Sequence, residues 1–492
     1  MSASKDRILR KQQIEAGTDK RSVAAAKAEK ERRQTTIRYS IIAAVLVIVF
    51  AFVFIYNSAL PAKLSTGVTI DGEKYSVAEL NYFYSAAYMN FYNTYYTYLS
   101  YGLFFDTSLS LSTQEYSEGV TWRDYFIDTA IDNMTEIQIL NKAAAAAGFE
   151  LPEDSAAQYE ETLESLRTGW KDLGYSSLKQ YLAMNYGKGV TMQIVEEQLY
   201  RTYVASAYSQ ELFDSYEYTA EELAAYHTEH ADETDVIDYA YYAVYEGDET
   251  DADAVVSAVN GTSEEAFASY MEENYDGAAP TTLSYAGSDL NEVFAEWLLD
   301  ASRAAGDAAA FTDEEGGVTY VVMFLDRDDG DYDMTSFRHI LLNAADEDGD
   351  GSYSEEELAA AVSRAEEILA EWQSGAADED SFAELANAYS EDGGSNTNGG
   401  LYEDVYKGQM VSAIDEWLFD EPRTAGDTVI VTNEGSYTGA HVVYFVGYSD
   451  MTYAAYQADQ AMRNEAYDAW MEEAEAATEV VRGSVKLAGQ NR

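Results

Sequence analysis

Two of the four histidines in this 492-residue chain lie in short apolar segments of similar pattern. His339 belongs to the segment 337–342 (FRHILL), and His441 belongs to the segment 438–443 (TGAHVV). Both segments are rich in large or β-branched apolar residues, which predicts two strands with one histidine in each. An imidazole can donate or accept a hydrogen bond near neutral pH, so the pair is the first candidate for a polar site.

The chain between the two histidines supplies the elements that would position them. A helix ends in the segment 382–386 (FAELA), and a loop rich in Asp, Gly and Asn follows and ends at Gly399 and Gly400. A turn at 407–410 (KGQM) comes next. The chain has no cysteine, which excludes thiolate metal ligands, a cysteine nucleophile and a lipid-bearing anchor cysteine.

The segment 346–357 (DEDGDGSYSEEE) predicts a second kind of chemistry. Acidic residues stand at positions 1, 3 and 5, glycine at position 6 and glutamate at position 12, as in the calcium loop of an EF-hand. A strand precedes this loop where an EF-hand has a helix, and the alternative is an acidic, solvated helix start with a capping box. The pattern predicts a structural Ca²⁺ site with these ligands: Asp346, Asp348, Asp350, Ser352 and Glu357.

The charge of the chain limits its partners. The formal net charge is −59, so the surface repels phosphate backbones and nucleic acid is excluded as a partner. Residues 1–38 have the opposite balance, with eleven Lys and Arg against five acids, which leaves 19 basic and 84 acidic residues in 39–492. The sign of the charge therefore changes at one point near the N-terminus.

That point is an apolar segment, residues 39–56 (YSIIAAVLVIVFAFVFIY), which has no charged residue. Such a length can span a bilayer of ~30 Å as a helix. The basic residues before it predict a cytoplasmic N-terminus. We expect a basic tail at 1–38, a single-pass signal anchor at 39–57 in the cell membrane, and the bulk of the chain outside the cytoplasm. A cleaved signal peptide is the alternative.

Periodicity divides the rest of the chain into four parts. A hairpin at Asp71 and Gly72 and a series of capped amphipathic helices predict a helical domain at 68–230. Residues 231–330 and 331–450 each combine strands with helices, and 451–492 forms a C-terminal helix that we expect to pack on the helical domain. The predicted fold class is α+β.

The two mixed parts contain an internal repeat. Residues 295–300 (AEWLLD) and 303–307 (RAAGD) recur as 415–420 (DEWLFD) and 423–427 (RTAGD). We align Tyr239 with His339 and Tyr320 with His441. The first copy therefore has tyrosine at both histidine positions and lacks the turn at 407–410, so we expect a scaffold in the first copy and a site in the second.

With these motifs in order, the stretch 336–450 resembles the parvulin-type (PpiC, rotamase) peptidyl-prolyl cis/trans isomerases. The matching motifs are 338–341 (RHIL), 382–386 (FAELA), 389–392 (YSED) with 399–401 (GGL), 407–410 (KGQM) and 439–441 (GAH). The segment 68–230 is similar to the helical chaperone domain that precedes such modules in extracytoplasmic foldases of the PrsA and SurA type. The resemblance covers all but the N-terminal tail and the anchor.

The resemblance implies the roles of the site residues. His339 and His441 would be the paired histidines, Asp392 would take a position that is cysteine in some parvulins, and Thr438 would place a hydroxyl nearby; these four are the expected catalytic residues. The expected substrate-binding residues are Met410, Gln409 and Ile414, and Ile414 stands where the family usually has phenylalanine as a wall of the proline pocket. No cofactor is required for catalysis.

The sequence thus predicts a membrane-anchored isomerase and chaperone with a helical chaperone domain (SurA-N-like), two tandem parvulin-like modules and a C-terminal helix. Its partners would be unfolded secreted polypeptides with X–Pro segments and the membrane, and a homodimer is left open. One alternative is a silent holdase that uses both parvulin folds only to bind clients. Another is a calcium-dependent surface adhesion protein, which leaves the histidine motifs without explanation.

Overall fold

The computed structural model describes residues 7–9, 11–12, 20–275, 278–346, 349, 352–434 and 438–489. The chain divides into two compact units. The first unit combines the residues up to Tyr216 with those from Ala466 onwards, and the second unit spans Glu217–Glu465. Helical and mixed parts are both present, in agreement with the predicted α+β class.

The elements follow one another in three groups. The N-terminal group is α1 (Lys20–Asn57), α2 (Leu60–Leu64), β1 (Thr66–Ile70), β2 (Glu73–Ser76), α3 (Val77–Thr94), α4 (Tyr96–Ser100), β3 (Glu115–Ser117), β4 (Val120–Thr121), α5 (Trp122–Ala147), α6 (Glu153–Thr168), α7 (Leu178–Asn185) and α8 (Met192–Asp214). The middle group is α9 (Ala220–Thr234), β5 (Val236–Tyr245), α10 (Ala252–Val259), α11 (Glu264–Asn274), β6 (Thr281–Ala286), α12 (Ala295–Leu298), β7 (Ala308–Asp313), β8 (Val318–Asp328), β9 (Asp333–Asn343), α13 (Glu355–Ser374), α14 (Glu379–Tyr389), β10 (Leu401–Val405), α15 (Ser412–Phe419), β11 (Thr428–Asn433) and β12 (Gly439–Thr452). The last group is α16 (Tyr453–Ala477) and β13 (Val480–Arg482).

The first unit is built around α3 and α5. The predicted capping box at the start of α3 is present, because Ser76 and Glu79 satisfy each other's backbone N–H groups. Apolar side chains of α3 and α5, among them Leu80, Phe83 and Phe126, pack in one buried cluster. Helix propensity and capping place these helices, but burial of their apolar faces supplies most of their stability.

The C-terminal residues also belong to the first unit. β13 pairs antiparallel with β1, with Val68 opposite Arg482, and gives a sheet of order β13-β1-β2. The Ser209 hydroxyl lies 2.8 Å from the hydroxyl oxygen of Tyr467 on α16. The strand β13 is not predicted by the sequence, since three exposed residues give no periodicity signal.

The predicted end of the helical domain at residue 230 lies inside α9, which runs to Thr234 and belongs to the second unit. The end of this helix is held by contacts within that unit. Arg327 on β8 pairs with Asp232 at 2.9 Å and with Asp235 at 2.6 Å. These long-range ion pairs are not visible in the local pattern from which the boundary was predicted.

Two sheets form the second unit, and they have the same strand order. The first is β6-β5-β8-β7 and the second is β10-β9-β12-β11. In each sheet the two central strands are the first and the last in chain order. Two helices pack on one face of each sheet, α10 and α11 on the first and α13 and α14 on the second.

The registers of the two sheets correct one alignment made from the sequence. Phe324 lies opposite Tyr239 in the first sheet, and Phe445 lies opposite Phe337 in the second. Tyr239 therefore corresponds to Phe337, and the alignment of Tyr239 with His339 is wrong by two residues. Tyr241 is the residue that corresponds to His339. A shift of two keeps the same face of a strand, so alternation alone could not reveal the error.

The apolar segment predicted to be an anchor, residues 39–57, is the C-terminal half of α1. In the described part of the chain, no helix combines the length and the apolar character that crossing a membrane requires. The side chains of residues 51–52 and 54–57 lie outside the described residues.

Candidate active site

His339 and His441 lie on neighbouring strands of the second sheet. β9 and β12 pair antiparallel, with His339 opposite Val443 and His441 opposite Leu341, so the two histidines are diagonal neighbours on one face. Their rings are stacked with centroids 5.5 Å apart, and their Nδ1 atoms are 3.3 Å apart. Each residue is only 4% exposed. The strands therefore hold the two imidazoles together in a buried position.

Asp392 completes a chain of polar groups. Its Oδ2 lies 3.0 Å from His339 Nε2 and accepts hydrogen bonds from the hydroxyls of Ser395 at 2.5 Å and Tyr402 at 3.0 Å. Burial raises the pKa of the Asp392 carboxyl group, but these hydrogen bonds and one from the Gly394 N–H outweigh it, so the pKa lies well below its usual value. The carboxylate is therefore anionic at neutral pH.

The negative charge of Asp392 determines which ring nitrogen carries the proton in each of the two histidines. A carboxylate cannot donate, so the proton of its contact with His339 is on Nε2. Burial lowers the pKa of His339 although Asp392 opposes the shift, so the ring is neutral and its Nδ1 has a lone pair. That lone pair accepts the Nδ1 proton of His441. Burial and the neighbouring His339 lower the pKa of His441 to about 4, so this ring is neutral as well.

The chain of hydrogen bonds ends at His441 Nε2, which by this assignment has a lone pair. The atom is buried and has no hydrogen-bond partner among the residues that the structure describes. An unpaired buried polar atom costs free energy unless a ligand or water satisfies it. This atom is therefore the point at which the site can accept a hydrogen bond or place negative electrostatic potential near a bound group.

Gly400 positions the loop that carries Asp392. Its carbonyl oxygen accepts a hydrogen bond from the His339 N–H at 2.8 Å, and its N–H donates to the Ser395 carbonyl at 2.9 Å. Its φ is +70°, and a Cβ at this position would overlap the carbonyl oxygen of His339. Only glycine lets the loop approach the strand this closely. The Arg338 guanidinium group on β9 also holds this loop, because it donates hydrogen bonds to the carbonyls of Asn398 and Gly399 at 3.1 Å each.

Sequence reasoning missed Ser395 and Tyr402. Ser395 follows Asp392 by three residues, a spacing at which polar side chains and backbone groups often bond within a turn, and this signal could have found it. Tyr402 on β10 lies opposite Phe337 on β9, and the two rings stack with their centroids 5.5 Å apart. Only the pairing of the strands reveals that the Tyr402 hydroxyl reaches Asp392.

The expected substrate-binding residues Met410 and Ile414 both belong to the apolar cluster on the face of the sheet that carries the histidines. Phe337 is part of this cluster, and its ring centroid is 6.0 Å from that of His339. Ile414 is fully buried, whereas Met410 is half-buried. Met410 can therefore contact a bound group, whereas Ile414 is enclosed within the cluster.

The other two expected residues are Gln409 and Thr438. Gln409 is exposed, and its side-chain oxygen accepts a hydrogen bond from the Tyr406 N–H at 3.3 Å. The Thr438 carbonyl accepts one from the Ala344 N–H at 2.9 Å. Neither of these contacts involves a histidine.

The first sheet carries tyrosines at the corresponding positions. The rings of Tyr241 and Tyr320 are 6.1 Å apart at an angle of 58°. The connection from α11 to β6 is short, residues 275–280, whereas the connection from α14 to β10 comprises residues 390–400 and carries Asp392. The first sheet therefore has neither the imidazoles nor the long loop that holds the carboxylate.

Part of the predicted calcium loop lies outside the described residues, including Asp348 and Asp350. Among the described residues, no group of three or more His, Cys, Asp or Glu could hold a metal ion. Asp346 accepts a hydrogen bond from the Gly349 N–H at 2.7 Å. Glu357 accepts hydrogen bonds from Ser354 and completes the capping box of α13. The calcium site stays a prediction.

One known family matches the part of the chain that contains this site. Residues 339–446 match the family described as Rotamase, PPIC-type PPIASE domain. The match begins at one histidine of the pair and includes the other. The module that contains the site is thus a PPIC-type peptidyl-prolyl isomerase domain, and the resemblance inferred from its motifs is confirmed. No curated protein matches the chain.

Several solved structures are similar to larger parts of the chain. A peptidylprolyl isomerase (PrsA) from Bacillus cereus is 18% identical over 58% of this chain and 85% of its own, with a TM-score of 0.21. PrsA from Bacillus anthracis is 11% identical over 70% of this chain and 93% of its own, with a TM-score of 0.19. A SurA-like chaperone from Campylobacter jejuni is 8% identical over 54% of this chain and 82% of its own, with a TM-score of 0.17. Similarity this distant does not identify an activity.

Proposed function

We propose that the second module catalyses cis/trans isomerisation of X–Pro bonds in unfolded secreted polypeptides. The observation that carries the proposal is the buried hydrogen-bonded chain from Asp392 through His339 to His441. It stands inside a domain of the PPIC type, whose general activity is prolyl isomerisation.

Rotation about an X–Pro bond requires little chemistry from the protein. The barrier of ~18–20 kcal/mol arises because amide resonance is lost when the bond twists, and no covalent bond is broken. A catalyst must therefore bind the twisted amide more tightly than either planar form. No nucleophile is needed, which agrees with a site made of neutral imidazoles and a carboxylate.

In the proposed mechanism the apolar cluster binds the proline ring and the polar chain acts on the amide. Met410 supplies the exposed part of the apolar surface beside the histidines. The carbonyl carbon of the amide becomes more electron-poor as the bond twists, because the prolyl nitrogen no longer donates its lone pair by resonance. The lone pair of His441 Nε2 would stabilise that carbon in the twisted form more than in the planar forms. Asp392 and His339 hold that imidazole in the required tautomer, so they are positioning residues for His441.

The first module would contribute no isomerisation. Tyr241 and Tyr320 replace the histidine pair, and the connection at 275–280 has no counterpart of the Asp392 loop. We propose that this module is a rigid support or a further surface for clients.

We also propose that the chain acts at the outer face of the cytoplasmic membrane, held there by residues 39–57. The apolar segment 39–56 and the excess of basic residues before it support this location. Protease treatment of intact cells tests it. Digestion of everything after residue 57 is expected, and full protection of the chain would contradict the location.

A structural calcium ion in the segment 346–357 is a separate proposal that rests on the spacing of its acidic residues. The ion would order the connection between β9 and α13 and takes no part in the isomerisation. Its failure would leave the proposed activity unaffected.

The decisive experiment is an isomerisation assay with the full chain and a peptide that contains one X–Pro bond. We expect a rate above the uncatalysed one, and a much smaller rate for the His441→Phe variant. The Tyr320→Phe variant is the matched control, because it changes the corresponding position of the first module. A full chain without activity above background would favour the silent holdase.

A further inference from the structure

A cavity in the first unit is lined by apolar side chains and edged by three lysines. Its volume is 440 Å³, within the ~300–1,000 Å³ that ligand sites usually have. The lining is formed by Ala59, Leu178, Leu182, Ala183, Gly189, Val190, Thr191 and Met192, together with the lysines Lys63, Lys179 and Lys188. No acidic residue is among the lining residues, although the chain as a whole is strongly acidic.

The lysines distinguish this cavity from the rest of the chain. Three of the eight lysines that the structure describes beyond residue 38 line this one cavity. Lys63, Lys179 and Lys188 hold no ion pair with any residue in the described ranges. The lining residues thus bring three positive charges and no carboxylate to one apolar cavity, in a chain of net charge −59, which favours an anionic ligand there.

The walls of the cavity come from two separate parts of the chain that Gly189 brings together. Its φ is +92°, and a Cβ there would stand 3.0 Å from the Cβ atoms of Ala62 and Ala78. Glycine therefore allows the loop after α7 to pack directly against α2 and α3. Val190 and Leu182 are buried by this contact, whereas Lys63 and Lys179 keep exposed side chains.

The position of the cavity in the chain favours a membrane ligand. Ala59 lies two residues after the end of α1, whose C-terminal half is the apolar segment 39–56. Leu60 and Leu64 lie on the same short helix as Lys63 and are 46% and 80% exposed. In a bilayer, lysines near the end of an apolar segment lie at the level of the lipid headgroups, and neighbouring leucines can enter the acyl region.

We infer that this cavity binds an anionic membrane phospholipid, with the phosphate group between the lysines and part of an acyl chain in the apolar cavity. The proposal does not depend on the isomerase activity, because the histidine pair belongs to the other unit. Nor does it require the predicted anchor to span the bilayer, since a water-soluble short-chain lipid suffices to test it.

The test is a calorimetric titration of the purified full chain, in one non-ionic detergent throughout, with dihexanoylphosphatidylglycerol. Dihexanoylphosphatidylcholine is the matched probe, because it differs in the headgroup and has the same acyl chains. We expect the anionic lipid to bind at least about 10-fold more tightly, since each lysine near a phosphate contributes on the order of 1 kcal/mol. Equal affinity for the two lipids would overturn the proposal.

Two pairs of substitutions make the test specific. Lys179→Gln with Lys188→Gln should weaken binding of the anionic lipid about 10- to 30-fold. Lys74→Gln with Lys171→Gln removes the same charge from exposed lysines that do not line the cavity and should leave the affinity unchanged. Equal effects of the two pairs would show a general charge effect and would contradict a defined site.

One further variant and a competition experiment distinguish binding of a lipid from binding of other anions. Ala183→Phe fills part of the apolar cavity and should weaken the anionic lipid while the thermal unfolding of the chain stays unchanged. Inorganic phosphate should not compete at the concentrations that the lipid requires. Competition by phosphate, or preferential binding of a glutamate-rich peptide at the same lysines, would show that the cavity serves an anion or an acidic client and would overturn the lipid proposal.

Discussion

His339 and Tyr241 occupy the same register position in two sheets of identical strand order. His339 lies opposite Val443 in the second sheet, and Tyr241 lies opposite Val322 in the first. The same relationship holds for His441 and Tyr320. The chain therefore contains a site and, in the same unit, a matched fold without it. Tyr320→Phe in the first sheet is therefore a matched control for His441→Phe in the second.

Replacement of His441 should abolish most of the proposed activity without unfolding the module. His441→Phe keeps an aromatic ring between the strands but removes the lone pair at Nε2. We expect kcat/KM for an X–Pro peptide to fall about 100-fold, the lower end of the ~10²–10³-fold loss that follows removal of one electrostatic group from an active site. Circular dichroism should show an unchanged fold. Unchanged kcat/KM would exclude His441 from the mechanism.

The stability of the second module should depend on pH through His441. Its folded-state pKa is lowered to about 4, below the usual value near 6.5, by burial and by the neighbouring His339. Between these two values the unfolded chain binds a proton that the folded chain does not, so stability falls as the pH falls through this window.

The difference between the wild-type chain and His441→Phe isolates this contribution from that of the many carboxylates. We expect the thermal midpoint of the wild-type chain to fall more steeply between pH 6.5 and pH 4 than that of the variant. Parallel curves over this range would contradict a buried neutral His441.

Gly400→Ala should destabilise the module and displace the Asp392 loop. A Cβ at Gly400 overlaps the carbonyl oxygen of His339, and the positive φ alone costs ~1–2 kcal/mol for alanine. We expect a loss in urea unfolding free energy larger than that amount, together with loss of isomerisation. Gly408→Ala is the control, because it has a similar φ of +82° but no atom within 4 Å of the added Cβ. Equal losses for both variants would refute the close approach.

Substitution of Met410 should mainly affect peptide binding, whereas substitution of Ile414 should mainly affect stability. Ile414 is fully buried, so Ile414→Ala leaves a cavity and should cost ~2–5 kcal/mol of unfolding free energy. Met410 is half-buried at the same cluster, so Met410→Ala should cost less stability but raise KM for the peptide. The reverse pattern, with KM changed only by Ile414→Ala, would place the proline pocket elsewhere.

Calcium titration tests the segment 346–357. Calorimetry with Ca²⁺ on the full chain should show one site whose binding is lost in Asp350→Ala, because that residue supplies position 5 of the predicted loop. Asp331→Ala, in an acidic run without a glutamate at position 12, should bind as the wild-type chain does. An identical isotherm for Asp350→Ala would show that the acidic segment only begins a helix.

The sequence by itself determined the parts of this protein that depend on local chemistry. Capping residues such as Ser76 with Glu79 predicted helix starts, and the motifs around His339, Asp392 and His441 identified the isomerase domain that the family comparison confirms. The helix starts could be predicted because spacing along the chain decides which side chains share a turn. The domain could be identified because its motifs resemble those of a known family.

Only the tertiary structure decided which residues meet across the sheets. It corrected Tyr239 to Tyr241, brought Ser395 and Tyr402 to Asp392, and assigned α9 to the second unit. It also placed Lys63 beside Lys179 and Lys188 around one cavity. The physical reason is that strand register and loop packing are determined by burial against distant parts of the chain, and a shift of two residues leaves every local pattern unchanged.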